Sequence, residues 1–216
     1  MVISYDDAPK QIVDKILVGS GSLAIALRNR RRLGARILAG LIDTCDHNPA
    51  HVLCLGAGPG RTILEAMRNC RREVHATLVD LSPTAFEHGR VLAAHAGLTD
   101  KVKYIVGDVR DLKKLVHERP HIVKMLGILE YLTDEQISDM IAAASAVMPG
   151  GSYIVYNNIS KAHGSDRFLR RVFGLHMIHR STAQLEGLMS AAGMTDFVSI
   201  PEPLGVYHVV VARKAG

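Results

Sequence analysis

Three glycines, Gly56, Gly58 and Gly60, follow the apolar run His51–Leu55 in the stretch HVLCLGAGPGR. Two later apolar runs end near a carboxylate, VHATLVD on Asp80 and KVKYIVGD on Asp108. Glycine lets backbone approach a ligand with no Cβ in the way. A helix starting near Arg61 would aim its free N–H groups at the same place. A carboxylate at Asp80 can accept from two ribose hydroxyls. Asp108 can accept from the amino group of an adenine while the Val109 N–H donates to a ring nitrogen. These types at this spacing suit a ligand that contains a nucleoside.

The dinucleotide fingerprint G-x-G-x-x-G is close but not matched. The register reads Gly56-Ala57-Gly58-Pro59-Gly60-Arg61. The third glycine comes one place early, and Arg61 stands where close helix packing wants a glycine. That counts against a pyrophosphate site. Asp80 does not discriminate, because dinucleotide sites also use an acid there. The pair Asp108-Val109 does, since ordinary dehydrogenases have no need of it.

Such residues must be held at the ends of neighbouring elements. From His51 onward the apolar runs HVLCL (51–55), VHATLVD (74–80), KVKYIVGD (101–108), HIVKML (121–126) and SYIVYN (152–157) alternate with longer segments. Those segments, RTILEAMRNC, SPTAFEHGRVLAAHAG, VRDLKKLVHE and TDEQISDMIAAASAVM, read as helices. The alternation predicts a parallel sheet with right-handed crossovers. STAQLEGLMSAAGM (181–194) reads as a helix opened by a capping box from Ser181 to Gln184. FVSI (197–200) and VYHVVVAR (206–213) read as two last strands, joined by PEPLG as an antiparallel pair. Upstream, KQIVDKILV after Pro9 and the segment from about Leu23 to about Cys45 carry apolar residues at helical period, separated by GSGS (19–22). The expected fold class is α/β, a doubly wound Rossmann-like sheet with an antiparallel last strand plus an N-terminal helical cap. The expected division is 1–49 for the cap and 50–216 for the ligand-binding core.

Composition sets bounds on function. The chain has 216 residues and is 48% hydrophobic, which suits one domain with a sizeable core. No apolar run approaches the ~18 residues of a membrane helix. MVISYDDAPK lacks the apolar segment of a signal peptide. Cys45, Cys54 and Cys70 show no metal spacing and cannot all pair, so reduced thiols and a cytoplasmic location are expected. The net charge is +5, and RNRRR (28–32) holds four arginines in five positions. Three readings are open for that run: a solvated helix face, a site for an anion or a ligand carboxylate, or an RNA patch. No aromatic residues are interleaved for base stacking, which disfavours nucleic acid.

Taken together, HVLCLGAGPGR, LVDLSP, YIVGDVRDL, GILEYLTDEQ and MPGGSYIVYNN resemble the ordered motifs of class I S-adenosylmethionine-dependent methyltransferases, over about 51 to 216. The resemblance implies S-adenosylmethionine as cofactor and a reversed final strand. It implies that Gly56, Ala57, Gly58 and Gly60 face the methionine part, that Asp80 holds the ribose and that Leu81 lies against the adenine. Asp108 and Val109 would read the adenine edge. Leu126 and Gly127 would line the methionine side, with Glu130 and Tyr131 just beyond. One position departs from the family pattern. The acid usual two residues before the first glycine is Cys54 here, so contact to the cofactor's amino group must come from elsewhere.

A sulfonium loses its positive charge as its carbon is transferred, so the enzyme need only align a nucleophile and in some cases take a proton. No universal catalytic residue is expected, and the acceptor side must be read by itself. The Asn/Asp-Pro-Pro-Tyr-like stretch of amino-methylating relatives is replaced by MLGILEYL. A small-molecule acceptor is therefore expected. Tyr131, Asn157 and His176 are the catalytic candidates, with His179 as the other candidate base and Tyr5, Tyr156, Asn158 and His163 as further lining residues. HMIH places His176 and His179 on one helical face, a geometry metals use, but no acid or cysteine lies near and no metal is expected. The N-terminal helix pair can cap its own site or, in a homodimer, a neighbour's. Two alternatives stay open. Cys54 leaves room for attack at another carbon of the sulfonium, with release of methylthioadenosine and transfer or cyclisation of the aminocarboxypropyl group. The arginine run leaves room for RNA methylation.

Overall fold

Strands β1 (Ala50–Leu55), β2 (Val74–Asp80), β3 (Val102–Val106), β4 (Ile122–Met125) and β5 (Tyr153–Ile159) of the computed structural model run parallel. The structure describes residues 22–160 and 177–216. β6 (Met194–Pro201) and β7 (Tyr207–Lys214) complete one sheet of order β3-β2-β1-β4-β5-β7-β6, with β7 antiparallel to both its neighbours. β1 and β4 lie at the centre, and apart from His51 and Lys124 their residues are apolar because both their faces are covered. β6, at the edge, is largely exposed.

Helices α1 (Ser22–Thr44), α2 (Arg61–Asn69) and α3 (Pro83–His95) cover one face. The short α4 (Leu112–Leu115), α5 (Asp134–Val147) and α6 (Thr182–Ala191) cover the other. Caps set several boundaries. Ser82 accepts from the Ala85 N–H before Pro83, and Thr133 and Ser181 open α5 and α6 with capping boxes to Gln136 and Gln184.

Four boundaries differ from the sequence expectation. The helix expected over 109–118 is a 3₁₀ turn, Val109–Asp111, followed by α4 alone. The chain must return to the sheet by His121, whose N–H donates to the His51 carbonyl at 2.9 Å, and Pro120 stands just before it. The third strand closes at Val106 rather than Asp108, because Gly107 already bonds the Asp80 carbonyl at 3.0 Å. The helix expected to reach Met194 ends at Ala191. Gly193, at φ +84°, turns the chain, and Met194 pairs with Lys214 as the first residue of β6. β5 continues through Asn158 and Ile159 because β7 pairs with its full length. The helix expected just after Pro9 lies outside the described residues.

α1 is built into the core. Ala35, Leu38 and Ile42 are fully buried against residues of β1, β2 and β4. The arginine run is divided accordingly. Arg32 is exposed, Arg31 pairs with Glu65 of α2, and Arg30 turns inward to Glu130. The reading of the run as one solvated face is thereby corrected: helical rotation spreads successive residues over three sides. Glu202, 1% exposed, fastens α1 to the β6–β7 turn, accepting from the Asn29 side chain at 3.0 Å and from the Leu204 and Val206 N–H groups at 3.0 and 2.8 Å.

A histidine cluster closes the amino ends of the strands, opposite the glycine turn. The rings of His47 and His121 stack at 4.0 Å, and His51 lies 5.8 Å from His75 and 5.9 Å from His121. The His51 N–H donates to His121 Nδ1 at 3.0 Å, which requires that nitrogen to be unprotonated. Burial first, then the neighbouring imidazoles, lower the pKa of His51 and His121, while Glu118 partly opposes the shift at His51. A base with a depressed folded pKa binds fewer protons folded than unfolded, so stability is retained above the ordinary value of 6.5 and lost as pH falls below it. The melting temperature is expected to fall on acidification through this window. The profile should flatten in His121→Asn, whose carbonyl accepts the same bond without titrating.

Candidate active site

β1 ends at Leu55 and the chain turns through Gly56, Gly58 and Gly60, with φ of +56°, +54° and +81°. At all three the positive φ favours glycine, and at two a Cβ would also crowd a neighbouring side chain. A Cβ on Gly56 would lie 2.3 Å from Ile128 Cδ1, and one on Gly60 would lie 2.5 Å from Leu78 Cδ2. Gly58 differs, since a Cβ there would meet nothing within 4 Å. The open side of the turn is at Gly58. The close helix approach comes from elsewhere than the dinucleotide pattern suggests. Gly89 of α3 presses on the turn, and a Cβ there would lie 2.8 Å from the Pro59 carbonyl oxygen.

Asp80, at the carboxyl end of β2, binds this turn. Its Oδ2 accepts from the Gly58 N–H at 2.8 Å and its Oδ1 from the Ser82 N–H at 2.9 Å. Each carboxylate oxygen keeps a further lone pair for a ligand hydroxyl. Leu81 follows and is 71% exposed, the most exposed large apolar side chain among the described residues. Asp108 caps the 3₁₀ turn through the Arg110 N–H, and Arg110 Nε and Nη2 close on its carboxylate at 3.0 and 2.6 Å. That pair holds the Asp108 carboxyl down at about 2. Val109, the first residue of that turn, lies beside it.

The end of β4 carries a polar chain. The Gly127 N–H donates to Asn157 Oδ1 at 2.6 Å, and Asn157 Nδ2 donates to Glu130 Oε2 at 3.5 Å. Arg30 Nη1 of α1 donates to Glu130 Oε1 at 3.0 Å, and its guanidinium lies 4.6 Å from the centre of the Tyr207 ring. Asn157 is 1% exposed and Glu130 5%. Leu126, buried, packs under α1 at Gly34.

The acceptor-side candidates separate. Asn157 and Asn158 line a small pocket together with Glu130, Ile178, Arg180 and Leu185. Asn158 Nδ2 also reaches Thr182 Oγ1 at 3.3 Å. Tyr131 ends the 129–131 turn with 48% of its surface exposed. Tyr156 is not a lining residue. It points into the core behind the sheet, fully buried, and burial raises its phenol pKa. The alternation of side chains along β5 sends Tyr156 and Asn157 to opposite faces. His179 is half-buried. Tyr5, His163 and His176 lie outside the described residues. Among the described residues no cluster of three or more His, Cys, Asp or Glu could hold a metal, and no helix is long and apolar enough to cross a membrane.

Two residues at the site were missed by sequence reasoning. Arg30 lay inside the run read as a unit. Arg180 gave no local signal. Its guanidinium is buried and bonds the Leu129 and Leu132 carbonyls at 3.0 and 2.6 Å and Asp134 at 2.6 Å. With the Ile178 N–H bonded to the Glu130 carbonyl at 2.7 Å, it fastens the segment before α6 onto the 129–131 turn.

Solved structures share this architecture. A protein described as a "possible exported protein" from Bordetella parapertussis superposes with a TM-score of 0.78 at 17% identity, over 98% of this chain and 77% of that one. Magnesium protoporphyrin IX methyltransferase from Synechocystis PCC 6803, with bound S-adenosylhomocysteine, superposes with a TM-score of 0.71 at 12% identity, over 98% of this chain and 90% of that one. In sequence, the uncharacterised protein YnbC of Escherichia coli K12 is 24% identical over 94% of this chain. The chain spans only 37% of that relative's length. Residues 11–214 match the family model described as "Putative methyltransferase". By that match over nearly its whole length, and with the Rossmann-like sheet and reversed last strand described above, the chain belongs to this methyltransferase family.

Proposed function

We propose that this chain is an S-adenosylmethionine-dependent methyltransferase acting on a small-molecule acceptor. The observation that carries the reading is the open cradle at the carboxyl edge of β1 and β2. Gly58 leaves free space, the Asp80 carboxylate rims it, and the apolar Leu81 side chain stands uncovered beside it. An exposed leucine next to a carboxylate fits a planar base attached to a ribose. S-adenosylmethionine, when bound, supplies a methyl group on a positively charged sulfur.

The chain's own residues do the rest. Asp80 takes ribose hydroxyls with the lone pairs left by Gly58 and Ser82. Leu81 lies on the adenine, and Asp108 and Val109 read its edge. Gly56, Ala57, Gly60, Leu126 and Gly127 surround the methionine part. Asn157 positions the end of β4 by holding Gly127 and Glu130 at once. The pocket between Asn157, Asn158, Ile178 and Arg180 takes the acceptor, with Tyr131 at its rim and His176 or His179 as candidate base. The three free thiols, Cys45, Cys54 and Cys70, support a cytoplasmic setting.

Incubation with methyl-labelled S-adenosylmethionine and a fractionated metabolite extract is expected to move label into dialysable product, with S-adenosylhomocysteine as by-product. Label retained in RNA would overturn the acceptor class. Methylthioadenosine as by-product would overturn methyl transfer, in favour of attack at another carbon. The neutral, buried Cys54 thiol favours that second reading, because it leaves the cofactor's own amine unlocked.

A further inference from the structure

Among the described residues that line the pocket beside the 129–131 turn, two are ionisable, Glu130 and Arg180. Arg180 is a permanent cation with no lone pair to take a proton. Its donors are also committed, Nε to Asp134 and Nη1 and Nη2 to the Leu129 and Leu132 carbonyls. Asn157 and Asn158 line the same pocket, but a neutral amide is no base. Of this lining, Glu130 is the side chain whose chemistry suits it to accept a proton.

The two oxygens of its carboxylate are held differently. Oε1 accepts from Arg30 Nη1 at 3.0 Å. Among the described residues, Oε2 accepts only from Asn157 Nδ2, at 3.5 Å, the long limit of a hydrogen bond. That amide is itself fixed, since its Oδ1 accepts from the Gly127 N–H at 2.6 Å. The Ile178 N–H holds the Glu130 carbonyl at 2.7 Å and so fixes the backbone as well. Arg30 thus orients the carboxylate from α1, while Oε2 keeps acceptor capacity on the side of Asn157, in the pocket wall. A carboxylate buried this far is rare unless paired, and here the pairing is one-sided.

We propose that Glu130 is the general base of the reaction and takes the acceptor's proton on Oε2. This rests on the methyl-transfer reading above and puts the base on the 129–131 turn instead of on His176 or His179. The acceptor's bond to hydrogen breaks, and its proton passes to Oε2. The electron pair left behind forms the bond to the transferred methyl carbon, and the sulfur keeps the pair of the bond that breaks. Carboxylate and sulfonium begin with opposite charges and both end neutral. Charged groups are costly where water is excluded, so a step that neutralises both is favoured there. The acceptor class follows: its reacting atom bears a hydrogen, as in a hydroxyl, a thiol or an amine.

The test uses methyl-labelled S-adenosylmethionine with the extract fraction that the wild-type protein labels, and calorimetry with S-adenosylhomocysteine. Glu130→Gln keeps the size of the side chain and an acceptor for Arg30, but it cannot take a proton. Its rate of labelling should fall about 100- to 10,000-fold, the range of a lost general base. Its affinity for S-adenosylhomocysteine should stay at the wild-type value. Glu130→Ala should lose rate to the same extent and regain part of it in added formate, because a small carboxylate fits the vacated space beside Arg30. Formate should leave Glu130→Gln unchanged, since that space is filled. A wild-type rate in Glu130→Gln overturns the assignment. So does a loss of S-adenosylhomocysteine affinity as large as the loss of rate, which would make Glu130 a support for Gly127 through Asn157. A folded Glu130→Ala that formate does not rescue overturns it as well; if that variant does not fold, Glu130→Gln decides alone. If the wild-type protein labels no fraction, the methyl-transfer reading itself falls and the base has no reaction to serve.

Discussion

Asp80→Ala is expected to lower affinity for S-adenosylhomocysteine by about 100-fold or more. Hydrogen bonds to a charged group are each worth about 1.5–3 kcal/mol. Two ribose hydroxyls on one carboxylate therefore amount to about 3 kcal/mol at the low end, or roughly two powers of ten. The substitution also releases the Gly58 and Ser82 N–H groups, bound at 2.8 and 2.9 Å, so the glycine turn loses its anchor to β2. Asp80→Asn separates these two effects. It keeps the shape, but its amide nitrogen must face one of those N–H donors or a ribose hydroxyl, so an intermediate loss is expected. Calorimetric titration of both variants checks the order. If Asp80→Ala binds within about threefold of wild type, a size of effect usual for peripheral contacts, Asp80 does not hold the ligand.

Glu202→Ala is expected to destabilise the fold by about 3 kcal/mol. The Glu202 carboxylate is buried and accepts from Asn29 and from the Leu204, Val206 and Tyr207 N–H groups. Alanine leaves several of those donors without acceptors in a place water reaches poorly. For a domain of this length the loss corresponds to a fall in melting temperature of about 6–12 °C. Desolvation pushes the Glu202 pKa up, but the bonds from Leu204, Asn29, Val206 and Tyr207 together outweigh it and the net shift is downward. A carboxyl with a depressed folded pKa stabilises above its unfolded value of 4.5 and loses that contribution as pH falls below it. The stability difference between wild type and Glu202→Ala should therefore shrink at acid pH. A loss below about 1 kcal/mol at neutral pH would mean that water replaces the carboxylate. Because Asn29 adjoins Arg30, the same variant tests whether the seating of α1 governs ligand affinity.

The order of strands and helices was legible because each central strand must be apolar on both faces and each crossover helix must carry one apolar stripe. The turn at Gly56–Gly60 and the carboxylate at the end of β2 were legible for a related reason. They are local features, set by the residues themselves and by the strand that precedes them. Element ends were less legible. α4 is a single turn because His121 is drawn into the sheet, and Met194 leaves α6 because it pairs with Lys214. Both outcomes depend on partners distant in sequence, which no local propensity encodes.

What the sequence by itself determined was the fold class and, on it, the place of the candidate site with its glycines and strand-end acids. Glycine spacing, strand-end acids and apolar period are properties of short segments. Only the tertiary structure decided which charges share a space. Register across parallel strands puts Lys124 beside Cys54, and the rotation of α1 sends Arg30 inward while Arg32 stays in solvent. The same packing committed Asn157 to Gly127 and Glu130 and turned Tyr156 away from the site. Side-chain charge is written in the sequence, but its cost and its partners depend on burial and on distances that exist only after the sheet and helices have closed around it.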